Sequence, residues 1–150
     1  MKTRAVNPWT WQDQFGFSQA VEASGVNHML LCAGQTSVDA DGAPLHPGDM
    51  AAQAGQALDN LEAVLEKAGM DLANVVRLNF YTTDVDAFIA TGGEVVGARV
   101  GAAGGPLPAG TLLGVARLAF PELMVELEAT AVDGRPAVPP PSAWLVGSAV

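Results

Sequence analysis

Basic residues are scarce in this chain. Lys and Arg total 7 of 150 residues against 16 Asp and Glu, for a net charge of −9. Holding nucleic acid takes a groove or stripe of Lys and Arg, and none is on offer here. The same deficit disfavours anionic membrane surfaces. There is one cysteine, Cys32, so no disulfide can form within the chain. No apolar run reaches the roughly 20 residues a membrane helix needs. The N-terminal stretch MKTRAVNPWTWQDQFGF has no apolar core of the kind a secretory signal carries. A soluble, cytoplasmic protein is the expectation. His28, His46 and Cys32 show no metal-ligand spacing, so no metal site is expected. The glycines at 92, 93, 97, 101, 104 and 105 lack the strand-then-helix setting of a nucleotide loop.

What is present is mostly apolar: 49% of residues are hydrophobic and only 15% charged. One domain of this length buries a sizeable core. The surplus predicts that apolar surface is also covered by other copies of the chain.

The periodicity divides the chain into elements. Residues 1–16, with Trp9 and Trp11, have no clear period and read as an arm packed on the body. Phe17 to Glu22 and His28 to Ala33 read as strands of one hairpin, with Ser24 to Asn27 supplying the turn. Asp49 is a good helix N-cap, and Gly69 stops that helix just beyond Lys67. Between them Ala51, Ala54, Leu58, Leu61, Leu65 and Ala68 form one apolar stripe. Val75 to Thr82 is rich in β-branched and aromatic residues and reads as a strand. Asp84 caps a second helix, which Gly92, Gly93, Gly97 and Gly101 should weaken or break, each at about 1 kcal/mol. Strands near Thr111 to Ala116 and over Leu123 to Val132 complete the order β-β-α-β-α-β-β, an α+β chain with two helices on one face of a mixed sheet. The tail from 134 to 150 contains three consecutive prolines and reads as an extended appendage, with Trp144-Leu145-Val146 as its apolar cluster.

Three stretches can carry chemistry. One is the strand end at Gly34 and Gln35, and another is Pro106 to Val115. The third is Val125 to Ala131, where alternation puts Glu126, Glu128 and Thr130 on one face. That face is either solvated or holds a carboxylate at a pocket, where it orients or activates water. Cys32 in LLCAG reads as a small core residue rather than a nucleophile.

Six segments occur in an order that strongly resembles the Rid, or YjgF-like, family of reactive intermediate deaminases. They are GFSQAV (16–21), CAGQTSVDADG (32–42), QALDNLEAVLEKAG (56–69), VVRLNFYTTDVDAF (75–88), GVARLAFP (114–121) and VELEATAV (125–132). The resemblance covers roughly residues 15–133, giving a Rid-like domain at 17–133 between the arm and the tail. It implies a chorismate-mutase-like fold. It also implies a homotrimer with sheets inward, helices outside and a pocket for a small molecule at each subunit interface. The family's best-known activity is hydrolysis of 2-imino acids to 2-keto acids and ammonia, with no metal or cofactor.

In that activity an arginine, in a Pro-Ala-Arg segment followed by Ser or Thr, binds the substrate carboxylate. A glutamate in the last strand holds the attacking water. By position the glutamate corresponds to Glu126. The family's aromatic near the first strand corresponds to Phe17, which lacks a tyrosine hydroxyl. Gly34 and Gln35 match the family's Ser-Gly-Gln turn, and Asn79 lies on the strand before the second helix. The arginine position is Gly110, followed by Thr111. A charged hydrogen bond is worth about 1.5–3 kcal/mol, so its loss predicts poor handling of 2-imino acids. Arg117 has the opposite parity to position 110 in an unbroken strand. Three readings follow: an imine or enamine hydrolase whose substrate lacks a carboxylate, a non-catalytic trimer that binds a small molecule, and, disfavoured by the charge, a ribonuclease or translation inhibitor.

Overall fold

The computed structural model describes residues 1–136, and the rest of the tail lies outside the described residues. Two sheets are present. A two-stranded ribbon pairs β1 (Lys2–Val6) with β2 (Ala20–Ser24), antiparallel. The main sheet runs β3 (His28–Leu31), β7 (Val125–Asp133), β5 (Val75–Thr82), β6 (Leu112–Gly114), and a short β4 (Gln35–Thr36) also pairs with β7. Strands β5 and β6 are parallel and the other pairs antiparallel, so the sheet is mixed as expected.

The expected hairpin of Phe17–Glu22 with His28–Ala33 does not form. Strand β2 takes β1 as its partner, and β3 pairs with β7 instead. The turn signal at 24–27 is real, since Gly25 has φ +67°. A turn fixes a change of direction, however, and not which edges meet. The arm is thus partly a strand, and Trp11–Phe15 adds a single 3-10 turn that ends at Gly16.

Helix α1 (Met50–Lys67) follows its stripe closely. The Asp49 side chain accepts from the Ala52 N–H at 3.0 Å, and Leu58, Leu61 and Leu65 are fully buried. Each such leucine contributes about 1.5–3 kcal/mol of transfer free energy. The second helix is continuous rather than broken. It begins as α2 (Val85–Ala87), widens into a π-helical turn at Phe88–Gly92, and continues as α3 (Gly93–Ala102) through three glycines. The expected weakening appears only as that wide turn. At Gly92 a Cβ would lie 2.9 Å from the Phe88 ring and 3.1 Å from Met50, so glycine there lets the two helices approach. Both helices cover one face of the sheet, and the core lies between.

Two amides, of the buried Gln53 and the half-buried Asn60, set the register that the last strand brings to the site. Gln53 donates to the His46 and Glu122 carbonyls and accepts from the Met124 N–H, which pins the turn leading into β7. Asn60 donates to the Thr36 and Val38 carbonyls and holds the chain just after Gly34. Among the described residues no helix is long and apolar enough to cross a membrane.

Candidate functional site

Burial alternates along β7 from Val125 to Ala131. Val125, Leu127 and Ala129 are buried against the helices, while Glu126, Glu128 and Thr130 face the other way. The register of β5 places Tyr81 opposite Glu126, Asn79 opposite Glu128 and Arg77 opposite Thr130. These six side chains therefore share the face the helices leave open. Flanking them, Met29 and Leu31 are 64% and 73% exposed.

The two glutamates differ in their ties. Glu128 accepts from the Tyr81 hydroxyl at 2.7 Å and from the Asn79 amide at 3.1 Å. The Tyr81 hydroxyl, then the Asn79 amide, hold its carboxyl below the ordinary glutamate range, and the same bond raises Tyr81. Glu126 accepts no hydrogen bond from the described residues. Its carboxylate lies against Gly34, where a Cβ would come within 1.7 Å of Oε1. Glu126 is thus the carboxylate left available to a water molecule, and Gly34 is the position that lets it lie there.

A concavity of about 1010 Å³ opens on the helix-covered side near the sheet edge. Leu78 and Phe80 of β5 lie along it, with Phe88, Val96 and Val100 of the second helix. The arm contributes Trp11, Phe15 and Phe17, and the rim is Pro108 to Leu112. Trp11 meets Phe17 edge-on at 5.8 Å, and Phe80 meets Phe88 at 5.3 Å. The arm is tied to the rim where the Ser18 N–H donates to the Pro108 carbonyl at 3.2 Å. Gly97 and Gly101 also line this groove, and added Cβ atoms there would meet nothing within 4 Å. These two glycines thus widen the groove.

The residues singled out from sequence fall into two groups. Phe17, Gly110 and Thr111 belong to the groove. Gly34, Asn79 and Glu126 belong to the open face. Gln35 stands opposite Leu127 on the helix side, and its amide donates back to the Ala33 carbonyl at 3.3 Å. Asn79 joins the groups, since its Oδ1 accepts from the Thr111 N–H at 3.2 Å.

Gly110 is more than a missing side chain. The β5 strand takes Ala109 and Thr111 as backbone partners, with Leu78 N–H to the Ala109 carbonyl at 2.9 Å and Phe80 N–H to the Thr111 carbonyl at 2.8 Å. Between them a Cβ on Gly110 would lie 2.0 Å from the Leu78 carbonyl oxygen. Other arginines do not compensate within the chain. Arg99 is bound to Asp59 and Glu62, and Arg77 is on the open face. Strand β6 ends at Gly114, so the strand-parity argument does not reach Arg117, which is exposed and outside the groove lining. Cys32 is buried in the core, and burial raises its thiol away from thiolate chemistry.

Two features escaped the sequence reading. The Tyr81–Glu128–Asn79 cluster needed the β5–β7 register, although the single tyrosine of the chain was a usable signal. The aromatic arm of the groove, Trp11 and Phe15, carries no period at all.

This arrangement can be set beside known proteins. A family model described as endoribonuclease L-PSP matches residues 12–133. The chain belongs to the Rid, or YjgF-like, family. The Rid-family protein YyfB of Yersinia pestis superposes with a TM-score of 0.76 at 39% identity, covering 88% of this chain and 99% of that one. The 2-iminobutanoate/2-iminopropanoate deaminase of Escherichia coli K12 is 32% identical over 112 residues, 75% of this chain and 85% of the relative. The RutC family protein PM1466 of Pasteurella multocida is 36% identical over 74 residues, which span 49% of this chain and only 57% of that protein. The α+β architecture, with two helices on a mixed sheet, is that of Rid-family neighbours.

Proposed function

We propose that this Rid-family chain hydrolyses small imines that carry no carboxylate, at sites completed by a second copy of itself. The observation that carries this reading is the division of the site. The groove with Phe17, Gly110 and Thr111 and the available carboxylate of Glu126 occupy opposite faces of one sheet. Closing the groove of one copy against the open face of another brings a substrate to Glu126 and covers Met29, Leu31 and Leu113, which are 64%, 73% and 48% exposed. A homotrimer, as the family resemblance implies, supplies three such sites.

In the reaction Glu126 accepts a hydrogen bond from water and draws off its proton as the oxygen attacks the C=N carbon. Glu126 then returns that proton to the nitrogen, and the tetrahedral carbinolamine collapses to a carbonyl, its hydroxyl proton leaving with the ammonia as ammonium. General-base assistance of this kind is worth about 10²–10⁴-fold. Glu128, already holding two donors, keeps Tyr81 and Asn79 in place and stays out of the proton transfer. The closed backbone at Gly110 favours substrates that need no carboxylate clamp. The ribonuclease sense of the family description finds no support in the groove, whose lining includes no Lys or Arg.

The test uses two inactive partners. Glu126→Ala removes the carboxylate, and Gly97→Trp fills the groove at a position with open space around it. Each alone should lose hydrolysis of a carboxylate-free imine. A refolded mixture should regain part of it, because some sites pair an intact groove with an intact Glu126. A mixture no better than the sum of its parts, or a monomeric mass in solution, would reject the composite site. Substrate binding with no hydrolysis by the wild type would favour a trimer that only binds its ligand.

A further inference from the structure

We infer that the groove selects the protonated imines of apolar and aromatic amines, and that the reaction upstream is therefore the oxidation of a primary amine rather than of an amino acid. The inference rests on the hydrolase reading for its chemistry and on the groove alone for its charge preference. Among the described residues, the charged ones that line the groove are Asp13 and Glu94, and both are exposed. Five aromatic rings, of Trp11, Phe15, Phe17, Phe80 and Phe88, line the rest. Ring faces attract cations. A carboxylate in the ligand would meet two like charges and no donor side chain of opposite sign. At Gly110 the approach of the Leu78 carbonyl rules out any side chain without a backbone shift, and it places one more acceptor oxygen beside the rim. Ring content and charge sign both favour an aryl or alkyl group joined to C=NH₂⁺.

The chemistry closes on both sides. Upstream, R–CH₂–NH₃⁺ gives R–CH=NH₂⁺ with two protons and two electrons, the electrons passing to the dioxygen- or flavin-linked acceptor of an amine oxidase. Here, R–CH=NH₂⁺ and water give R–CHO and NH₄⁺, the C=N bond being replaced by C=O with oxygen from the water held by Glu126.

The test uses the full chain and three probes of one shape: phenethylammonium, phenethyl alcohol and phenylacetate. Titration calorimetry should show the cation binding roughly tenfold or more tightly than the anion, with the alcohol between them. Asp13→Asn with Glu94→Gln should shrink that spread, weakening the cation relative to the alcohol and strengthening the anion relative to it. Phenylacetate binding as tightly as phenethylammonium would overturn the inference. In parallel, imines generated by an amine oxidase and by an amino acid oxidase are allowed to hydrolyse in the presence of a carbonyl-reactive trap. Faster hydrolysis of the amine-derived imine alone supports the inference. Equal acceleration of both sinks it and leaves the hydrolase reading standing. Cation-selective binding with no acceleration of either upholds the charge preference and rejects the hydrolase.

Discussion

Gly34 and Gly110 stand on opposite sides of the sheet, and neither has room for a Cβ. At Gly34 the obstacle is the tip of Glu126, 1.7 Å away, while at Gly110 it is the Leu78 carbonyl, 2.0 Å away. A side-chain tip can swing aside, but a carbonyl inside a paired strand cannot. The first glycine therefore decides where the Glu126 carboxylate rests, and the second decides whether the rim folds as it does. A sequence comparison scores both positions simply as glycine.

The contrast can be broken in order of expected effect. Glu126→Gln keeps the shape beside Gly34 and removes the base. Imine hydrolysis should fall about a hundredfold or more with the melting temperature unchanged. Activity within a factor of a few of wild type would remove Glu126 from the reaction. Next, Gly110→Arg introduces the residue that the family resemblance implies there, yet it should destabilise the fold by roughly 3 kcal/mol, as overpacking against backbone does. Denaturant titration measures this. A variant as stable as wild type that gained 2-iminobutanoate hydrolysis would show that the rim yields. Gly34→Ala should cost stability little and lower the rate about tenfold to a hundredfold by displacing Glu126. An unchanged rate would mean that Glu126 works from another rotamer.

The smallest effect concerns pH. The Tyr81 hydroxyl and Asn79 hold the Glu128 carboxyl below its ordinary value. The stability this confers is full above the unfolded value, near 4.3, and is lost as pH falls through the lower folded one. Glu128→Gln should therefore be less stable than wild type near neutrality, and the gap should narrow as the solution is acidified. A gap that widened in acid would contradict the assignment.

The sequence was informative wherever one element decides the outcome. The α1 stripe, the Asp49 cap and the alternation of Glu126 and Glu128 are properties of single segments, and each is found where the periodicity put it. Pairing was less legible. Nothing within Ala20–Ser24 says that its edge meets Lys2–Val6 rather than His28–Leu31. The glycines of the second helix misled because propensity counts only the cost to an isolated helix. At Gly92 packing against Phe88 and Met50 offsets that cost, and Gly97 and Gly101 are carried by their neighbours Val96 and Val100, both buried. For the site, residue types were readable and their division between two faces was not. That division depends on register, which no single strand contains.

Asn79 gives that register a mechanical meaning. One end of its amide accepts from the Thr111 N–H, which can only donate, and the other donates to the Glu128 carboxylate, which can only accept. A half-turn of the amide would set donor against donor and acceptor against acceptor, so its orientation is locked. The side chain works as a crosspiece between the rim of the groove and the open face of the sheet. Any shift of Thr111 must therefore either carry Glu128 with it or break one of these two bonds.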